Sequence, residues 1–452
     1  MAKISAKMKK NMRKSTVLLD LPSEIMIDIH LKLPTRTILS CKCVCKKFLE
    51  LLSTPSFAAS HLALATPGLI IHQSGDENLC QIFEFQDGFE LQHSNLHCSP
   101  AMKFDPGVSI GLLSTDLRIV GSVNGLLCLW DHKGKLHGAL YICNPITREY
   151  ITLPRIQGAA KYRDVQYGFG VSEMGQYKVV VNVHSHIGDD DAPACLGIEN
   201  YECYIYTLGT GSWRRVQAGV PFGHFDLLFG SYLNGNLHGC VVDYCGFGDV
   251  LSSCFDLESE SFQPFPLPPP HVDPPTLGTM GILDGCLCVV DNSYKDLDTV
   301  GIWVMKEYGV ESSWTQQVVI TEVSEFVPCY SDPVYPVKAF QNGDILLCWN
   351  NFNLFYYNNE TKTCQYTDLV VQKKGGWIEA VSHSSSFLSL KSFQGENVKL
   401  FSCEPMQNAS GRVIRQPRMK GIQAGLKKHP PGPSKAAGTR RLKKRGELKM
   451  AR

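Results

Sequence analysis

Gly121-Ser122-Val123-Asn124-Gly125-Leu126-Leu127-Cys128-Leu129 leads on to Leu140-Tyr141-Ile142-Cys143-Asn144-Pro145-Ile146-Thr147-Arg148-Glu149. The Asn-Gly pair at its centre is a strong hairpin signal, because a tight two-residue turn needs positive φ at both central positions. The pattern recurs along the chain. Tyr232-Leu233-Asn234-Gly235-Asn236-Leu237-His238 leads to Cys254-Phe255-Asp256-Leu257-Glu258. Ile282-Leu283-Asp284-Gly285-Cys286-Leu287-Cys288-Val289 leads to Gly301-Ile302-Trp303-Val304-Met305. Phe340-Gln341-Asn342-Gly343-Asp344-Ile345-Leu346-Leu347 leads to Leu354-Phe355-Tyr356-Tyr357-Asn358.

The turn glycines Gly125, Gly235, Gly285 and Gly343 lie 110, 50 and 58 residues apart. The widest interval holds a further unit, from Tyr167-Gly168-Phe169-Gly170 through Tyr177-Lys178-Val179-Val180-Val181 to Tyr204-Ile205-Tyr206-Thr207-Leu208-Gly209-Thr210-Gly211-Ser212-Trp213-Arg214. A period of roughly 50–60 residues is close to that of kelch-type blades. Each unit reads as a turn, an inner strand pair and an outer pair. Stacked sheets must close or leave a sticky edge, and a propeller closes. The stretch 67–404 is expected to form six blades, with seven as the alternative, and its two ends are expected to share one blade.

Composition limits the rest. The chain has 452 residues, of which 44% are apolar and 19% charged, so wholesale disorder is excluded. No apolar run reaches the ~20 residues needed to cross a bilayer, so no membrane partner is expected. Residues 1–16 hold six Lys/Arg and no acid, and 411–452 hold fourteen Lys/Arg against one acid; with +1 overall, the body 17–410 carries −18. An acidic globule with two basic tails should repel nucleic acid through its body, which makes nucleic acid an unlikely target there. The eighteen cysteines include no C-x-x-C pair, and they read as reduced thiols.

Between the first tail and the repeats lies Leu18-Leu19-Asp20-Leu21-Pro22-Ser23-Glu24-Ile25-Met26-Ile27-Asp28-Ile29-His30-Leu31-Lys32-Leu33-Pro34. Ile25, Ile27, Ile29, Leu31 and Leu33 alternate like a strand. They also form two i,i+4 rows, Leu21/Ile25/Ile29/Leu33 and Ile27/Leu31. Pro22 suits a first helical turn, Glu24 the positive end of a helix dipole and Pro34 a stop, which favours a helix. A helix apolar on more than one face needs cover on more than one face. That cover is either a partner or the rest of this chain. Thr35 can cap a second helix that points Ile38 and Leu39 inward, and Val44, Phe48, Leu51 and Leu52 continue a helical stripe to the stop at Ser53-Thr54-Pro55.

Leu21-Pro22-x-Glu24-Ile25, Leu33-Pro34, Lys42-Cys43-Val44-Cys45-Lys46-x-Phe48, Pro55-Ser56-Phe57 and His61 together resemble the F-box of plant F-box proteins, over residues 17–61. The resemblance implies three short helices docking on a Skp-type adaptor, which hangs from a cullin. It marks Leu21, Pro22, Ile25, Leu33, Pro34, Val44 and Phe48 as the adaptor surface or its support. Phe48 stands where the family usually has Trp, and His30 where an aliphatic residue is common. Asn124-Gly125-Leu126-Leu127-Cys128, Asn144-Pro145-Ile146-Thr147-Arg148-Glu149-Tyr150, Leu208-Gly209-Thr210-Gly211-Ser212-Trp213-Arg214 and Met305-Lys306-Glu307-Tyr308-Gly309-Val310 with Ser313-Trp314 resemble the plant F-box-associated domain, over roughly 100–390. That implies a kelch-like propeller recruiting a protein substrate.

Chemistry is sparse. No nucleophile elbow, phosphate loop, zincin helix or dinucleotide fingerprint is present, and Tyr167-Gly168-Phe169-Gly170 lacks the third glycine of the last. Cys41, Cys43 and Cys45 would point apart on a helix, so small buried thiols are expected rather than a metal site. His184, His186, Asp189, Asp190 and Asp191 could wrap a cation, but read as a solvated hairpin tip. The prolines from Pro264 to Pro275 read as a stiff link between blades, with a polyproline II ligand as the alternative. Phe355-Tyr356-Tyr357 reads as blade core. Arg440-Arg441-Leu442-Lys443-Lys444-Arg445 resembles a nuclear import signal in a disordered tail, 405–452.

The sequence therefore predicts an α+β multidomain chain: a basic tail (1–16), a three-helix F-box (17–61), an all-β propeller (67–404) and a second basic tail. No cofactor, metal or catalytic residue is expected. The expected role is a non-catalytic substrate receptor of a cullin-type ubiquitin ligase, in nucleus and cytoplasm. The alternative is a scaffold whose basic tails bind nucleic acid or anionic partners.

Overall fold

A computed structural model describes residues 19–74, 78–85, 99–112, 116–132, 138–157, 164–187, 198–217, 225–243, 251–269, 279–291, 299–321, 333–367, 369, 376–402, 406–407 and 413–414. The first basic tail, the Arg440–Arg445 run and Asp189–Asp191 lie outside them, as do the side chains of His184 and His186, and the second tail is described only at 406–407 and 413–414, where two short strands pair against the expected disorder. Among the described residues no helix is long and apolar enough to cross a membrane.

Among the described residues four helices come first: α1 (Ser23–Leu31), α2 (Thr35–Lys42), α3 (Lys46–Leu51) and α4 (Pro55–Leu64). This is one more than expected, because the chain opens to an extended conformation at Cys45, with φ −156° and ψ 164°. The break turns Val44 out to 70% exposure, off the stripe that continues through Phe48 and Leu52. It also corrects the thiol reading: Cys43 is exposed and Cys41 and Cys45 only half-buried. Thr35 is the first helical residue and makes no capping bond. Thr54 does cap, its hydroxyl accepting from Phe57 N at 3.2 Å at the start of α4.

The strands form six blades. The first holds β1 (Gly68–Gln73), β2 (Leu79–Phe83) and β3 (Met102–Phe104), which is followed by the short α5 (Pro106–Ser109). The second holds β4 (Leu117–Val123), β5 (Leu126–Asp131), β6 (Leu140–Asn144) and β7 (Glu149–Thr152). The third holds β8 (Asp164–Val171), β9 (Tyr177–Ile187), β10 (Ile198–Thr207) and β11 (Trp213–Val216), the fourth β12 (Phe225–Leu233), β13 (Asn236–Asp243), β14 (Leu251–Asp256) and β15 (Ser261–Pro264). The fifth holds β16 (Thr279–Leu283), β17 (Cys286–Asp291), β18 (Thr299–Met305) and β19 (Trp314–Thr321), the sixth β20 (Val334–Ala339), β21 (Ile345–Trp349), β22 (Asn353–Asn358) and β23 (Thr363–Tyr366). The ring closes when β24 (Ile378–His383) pairs antiparallel with β1, Ile70 opposite Val381. The two ends of the repeat region do share a blade. A two-residue strand, β25 (Lys399–Leu400), then adds to the outer edge of β7, and β26 (Met406–Gln407) pairs with β27 (Val413–Ile414).

The core is divided among the seams between blades. Leu69 and Ile71 of β1 pack towards the sixth blade with Leu346 and Tyr356, while Ile70 between them packs towards the second with Leu127 and Leu129. Alternate residues of one strand thus serve opposite seams, and both faces of each sheet are covered. This explains the unbroken apolar runs such as Leu126–Leu129 and Phe355–Tyr357, all buried.

The turns follow local chemistry. Asn124-Gly125, Asn234-Gly235 and Asp284-Gly285 all have positive φ, between 47° and 80°, as the two-residue hairpin demands. Outer hairpins use a side chain instead: Asn144 Oδ1 accepts from Ile146 N (2.9 Å), Asp256 Oδ1 from Glu258 N (2.8 Å) and Asn358 Oδ1 from Thr361 N (2.7 Å). Gly168 and Gly170 have a packing reason: a Cβ there would run into Leu237, or into Leu257 and Tyr232, across the seam. The proline segment, where described, is a packed link. Phe265 and Leu267 bury against the fifth blade, and Trp314 Nε1 donates to the Pro266 carbonyl at 3.2 Å.

Candidate functional site

Two surfaces can act. The first is α1 and its surroundings. Met26 and His30 turn inward, joining Ile38, Phe48, Leu52 and Phe57. That fixes the opposite side of the helix outward, where Ile25 is 46% and Ile29 39% exposed. The i,i+4 row therefore lies on the surface, with half-buried Leu21 and Leu33 at its ends and exposed Pro22 and Pro34 beside them. Exposed Val44 belongs to the same module. Six of the seven residues singled out are thus wholly or partly at the surface. Phe48 is buried and is support. The two departures from the F-box pattern touch each other: the rings of His30 and Phe48 meet edge-on at 4.9 Å and 70°. His30 Nδ1 donates to the Met26 carbonyl at 2.6 Å, so a smaller Phe ring and a flat imidazole together fill this part of the core. Ile29 was visible in the sequence as part of the row.

The module is fastened to the ring. Ile146, in the β6–β7 turn, and Phe387, after β24, enter the F-box cluster. Phe387 packs on Phe57 (5.7 Å) and His61 (4.9 Å), and the Lys42 ammonium lies 4.3 Å from its ring centroid. Burial pulls Lys42 down from 10.5 to about 8, with Glu149 opposing part of the fall. Burial likewise lowers His61. Both faces of the helical module are accounted for: one rests on this chain's own propeller and the other is uncovered.

A strap completes the joint. After β24, residues 384–402 run across the second and third blades. Asn144 Nδ2 donates to the carbonyls of Ser386 (3.1 Å) and Leu388 (2.7 Å). Glu149 accepts from Leu390 N and Ser389 Oγ, both at 2.8 Å. Glu396 accepts from Tyr206 Oη (2.8 Å) and Gly209 N (2.7 Å). No sequence pattern marked Phe387 or this strap.

The second surface is the face of the ring remote from the F-box. The tight turns at 124–125, 145–148, 234–235, 257–260 and 284–285 lie on the F-box side, because β24 ends there at His383 and β1 begins there at Gly68. With antiparallel strands, the connections at 105–116, 132–139, 153–163, 188–197, 217–224, 244–250, 265–278, 292–298, 322–333 and 367–377 all leave and rejoin strands at the far face. Among the described residues no group of three or more His, Cys, Asp or Glu is placed to hold a metal.

The F-box domain matches residues 18–59, and the F-box associated beta propeller domain matches residues 80–387. The chain is an F-box protein of the F-box-associated propeller family. Similar proteins from Arabidopsis thaliana bear this out. F-box protein CPR1 is 27% identical over 366 residues, 76% of this chain and 83% of that one. F-box/kelch-repeat protein At3g23880 is 26% identical over 357 residues, 76% of this chain and 93% of that one. Among solved structures, TolB from Acinetobacter baumannii covers 73% of each chain at 11% identity and a TM-score of 0.37, too slight a likeness to carry function. In this F-box protein the F-box is the helical module that exposes Ile25, Ile29 and Val44.

Proposed function

We propose that this F-box protein is the non-catalytic substrate receptor of an SCF-type ubiquitin ligase, docking a Skp-type adaptor on its helical module and a target protein on its propeller. The observation that carries the adaptor half is that Ile25 and Ile29 stand exposed on one side of α1, with Val44 exposed in the same module, while the helices pack on this chain's own ring. Apolar side chains of this kind, clustered and held by a rigid helix, are the usual energetic centre of an interface. The receptor contributes proximity: with adaptor and cullin in place, it raises the local concentration of a target lysine at the charged conjugating enzyme.

The test is adaptor binding by purified full-length chain carrying Ile25→Asp with Val44→Asp. Both positions are exposed, so folding should survive. The expected loss is about 30-fold or more, the scale of a hot spot of about 2 kcal/mol. Undiminished binding would defeat the assignment. A nuclear and cytoplasmic location is part of the reading, carried by Arg440, Arg441, Lys443, Lys444 and Arg445. Deleting 438–452 should lower the nuclear signal. Were the tails the working part of a scaffold instead, they would bind nucleic acid with a steep salt dependence.

A further inference from the structure

On the face remote from the F-box, the fold leaves an aromatic pair uncovered. Trp377, just before β24, and Phe352, in the β21–β22 turn, are 39% and 40% exposed, with ring centroids 5.3 Å apart. Both stand on pinned backbone. The Trp377 carbonyl accepts from Ser74 N at 2.9 Å, and Trp377 N donates to Ser74 Oγ at 3.0 Å. The Asn351 carbonyl accepts from Ile378 N. Asn350 and Asn351, with φ of 43° and 55°, take the left-handed conformation that asparagine tolerates and so form the turn that presents Phe352. The Arg118 guanidinium lies 4.1 Å from the Trp377 ring centroid. It is held in turn by Asp116 at 3.4 Å and Glu379 at 3.6 Å. Glu379 also accepts from Ile119 N at 2.9 Å. Residues of the sixth, first and second blades therefore converge on one rigid patch.

We infer that this patch is the docking centre for the target protein, and that it takes a basic segment carrying an apolar anchor side chain. The inference rests on the receptor reading and adds the place and the partner's chemistry. Trp and Arg are the residue types that dominate interface energetics when fixed and central. A site ordered before binding loses little freedom on binding. The charge points to a basic partner. Arg118 is matched by Asp116 and by Glu379, which also meets His72 Nδ1 at 3.2 Å, so Asp116, 42% exposed, is the acid turned more towards solvent, and the body 17–410 carries −18. That field draws cationic chains towards the surface. The anchor would cover the exposed parts of the Trp377 and Phe352 rings, and the flanking Lys or Arg would meet Asp116.

The test uses the full chain and three short fluorescein-labelled peptides followed by anisotropy at physiological salt: a Lys/Arg-rich peptide with a central Phe-Leu, the same peptide with Gly-Gly there, and a Glu/Asp-rich peptide with Phe-Leu. The basic Phe-Leu peptide should bind about tenfold tighter than the other two, and Trp377→Ala or Phe352→Ala should each weaken it about tenfold. Trp377→Phe should keep most of the binding, and an unchanged melting temperature should show that Trp377→Ala is folded. Wild-type affinity in folded Trp377→Ala, equal binding of the Gly-Gly peptide, or no binding of the basic Phe-Leu peptide would overturn the inference. Binding gained only after deletion of 411–452 would overturn it in favour of the chain's own tail as occupant. Adaptor binding on the same samples separates the two readings: peptide failure with adaptor binding intact tells against the docking centre alone, and adaptor failure in the wild type tells against the receptor.

Discussion

Lys42 is the residue on which the joint between helices and ring can be read by titration. Its ammonium is partly buried over Phe387, and burial lowers it to about 8 against Glu149. Its folded value lies below the unfolded one, so between about pH 8 and 10.5 the unfolded chain binds more protons, and stability rises with pH across that window. Below about pH 8 the cost is present in full. Lys42→Met should flatten this part of the curve, seen as a smaller change of urea midpoint between pH 7 and pH 9.5 than in the wild type; an unchanged slope would remove Lys42 from the joint. Phe387→Ala takes a buried ring away from Phe57, His61 and Lys42 and should cost about 3–5 kcal/mol, measured by urea unfolding. Lys42 stands in the F-box motif with no sign of this role, and Phe387 lies in no motif. The F-box positions were legible because their periodicity and prolines are local. Phe387 has no local partner, and its role exists only once the ring has brought residue 387 back to residue 57.

At the level of elements, strands and turns were legible and the strap was not. The inner hairpins at 124–125, 234–235 and 284–285 carry Asn-Gly or Asp-Gly, and their backbone takes the φ values those residues tolerate. The break between α2 and α3 was missed because Val44, Phe48, Leu51 and Leu52 keep helical spacing straight through it. The strap has no periodicity, since it is held by side chains of other elements rather than by its own pattern. Glu149 is its main anchor, buried and accepting from Ser389 and Leu390. Glu149→Ala would leave Leu390 N buried without a partner, at a cost of about 1–3 kcal/mol. Hydrogen exchange should show it locally: amides of 384–392 should exchange faster, while those of β16 to β19 stay at wild-type protection. A uniform loss of protection would mean that the strap is part of the global fold rather than a separable tie.

In the proposed reading, the molecule as a whole separates two tasks on two faces. The helical module sits on the side of the tight inner turns, and the Trp377 patch lies across the ring, a distance set by six-residue strands at roughly 3.3 Å per residue, or about 20 Å. For a receptor that works by proximity, the angle between those faces matters as much as either affinity. A target lysine reaches the conjugating enzyme only if adaptor and target are held in a fixed relation, because a loose joint spreads the same target over a larger volume and lowers its effective concentration. The packing of Phe387, Phe57, His61 and Lys42 supplies that relation, and strap and F-box share it through Phe387. Phe387→Ala at a temperature where the chain remains folded should therefore leave adaptor binding and peptide binding within about twofold of wild type, yet slow ubiquitin transfer to a bound target by about tenfold, read in a single-turnover assay with reconstituted ligase. Ile25→Asp should do the reverse, losing adaptor and transfer together while the far face still binds. Equal transfer rates for Phe387→Ala and wild type would mean that the seam serves stability alone, and that the ring can swing on its helices without loss.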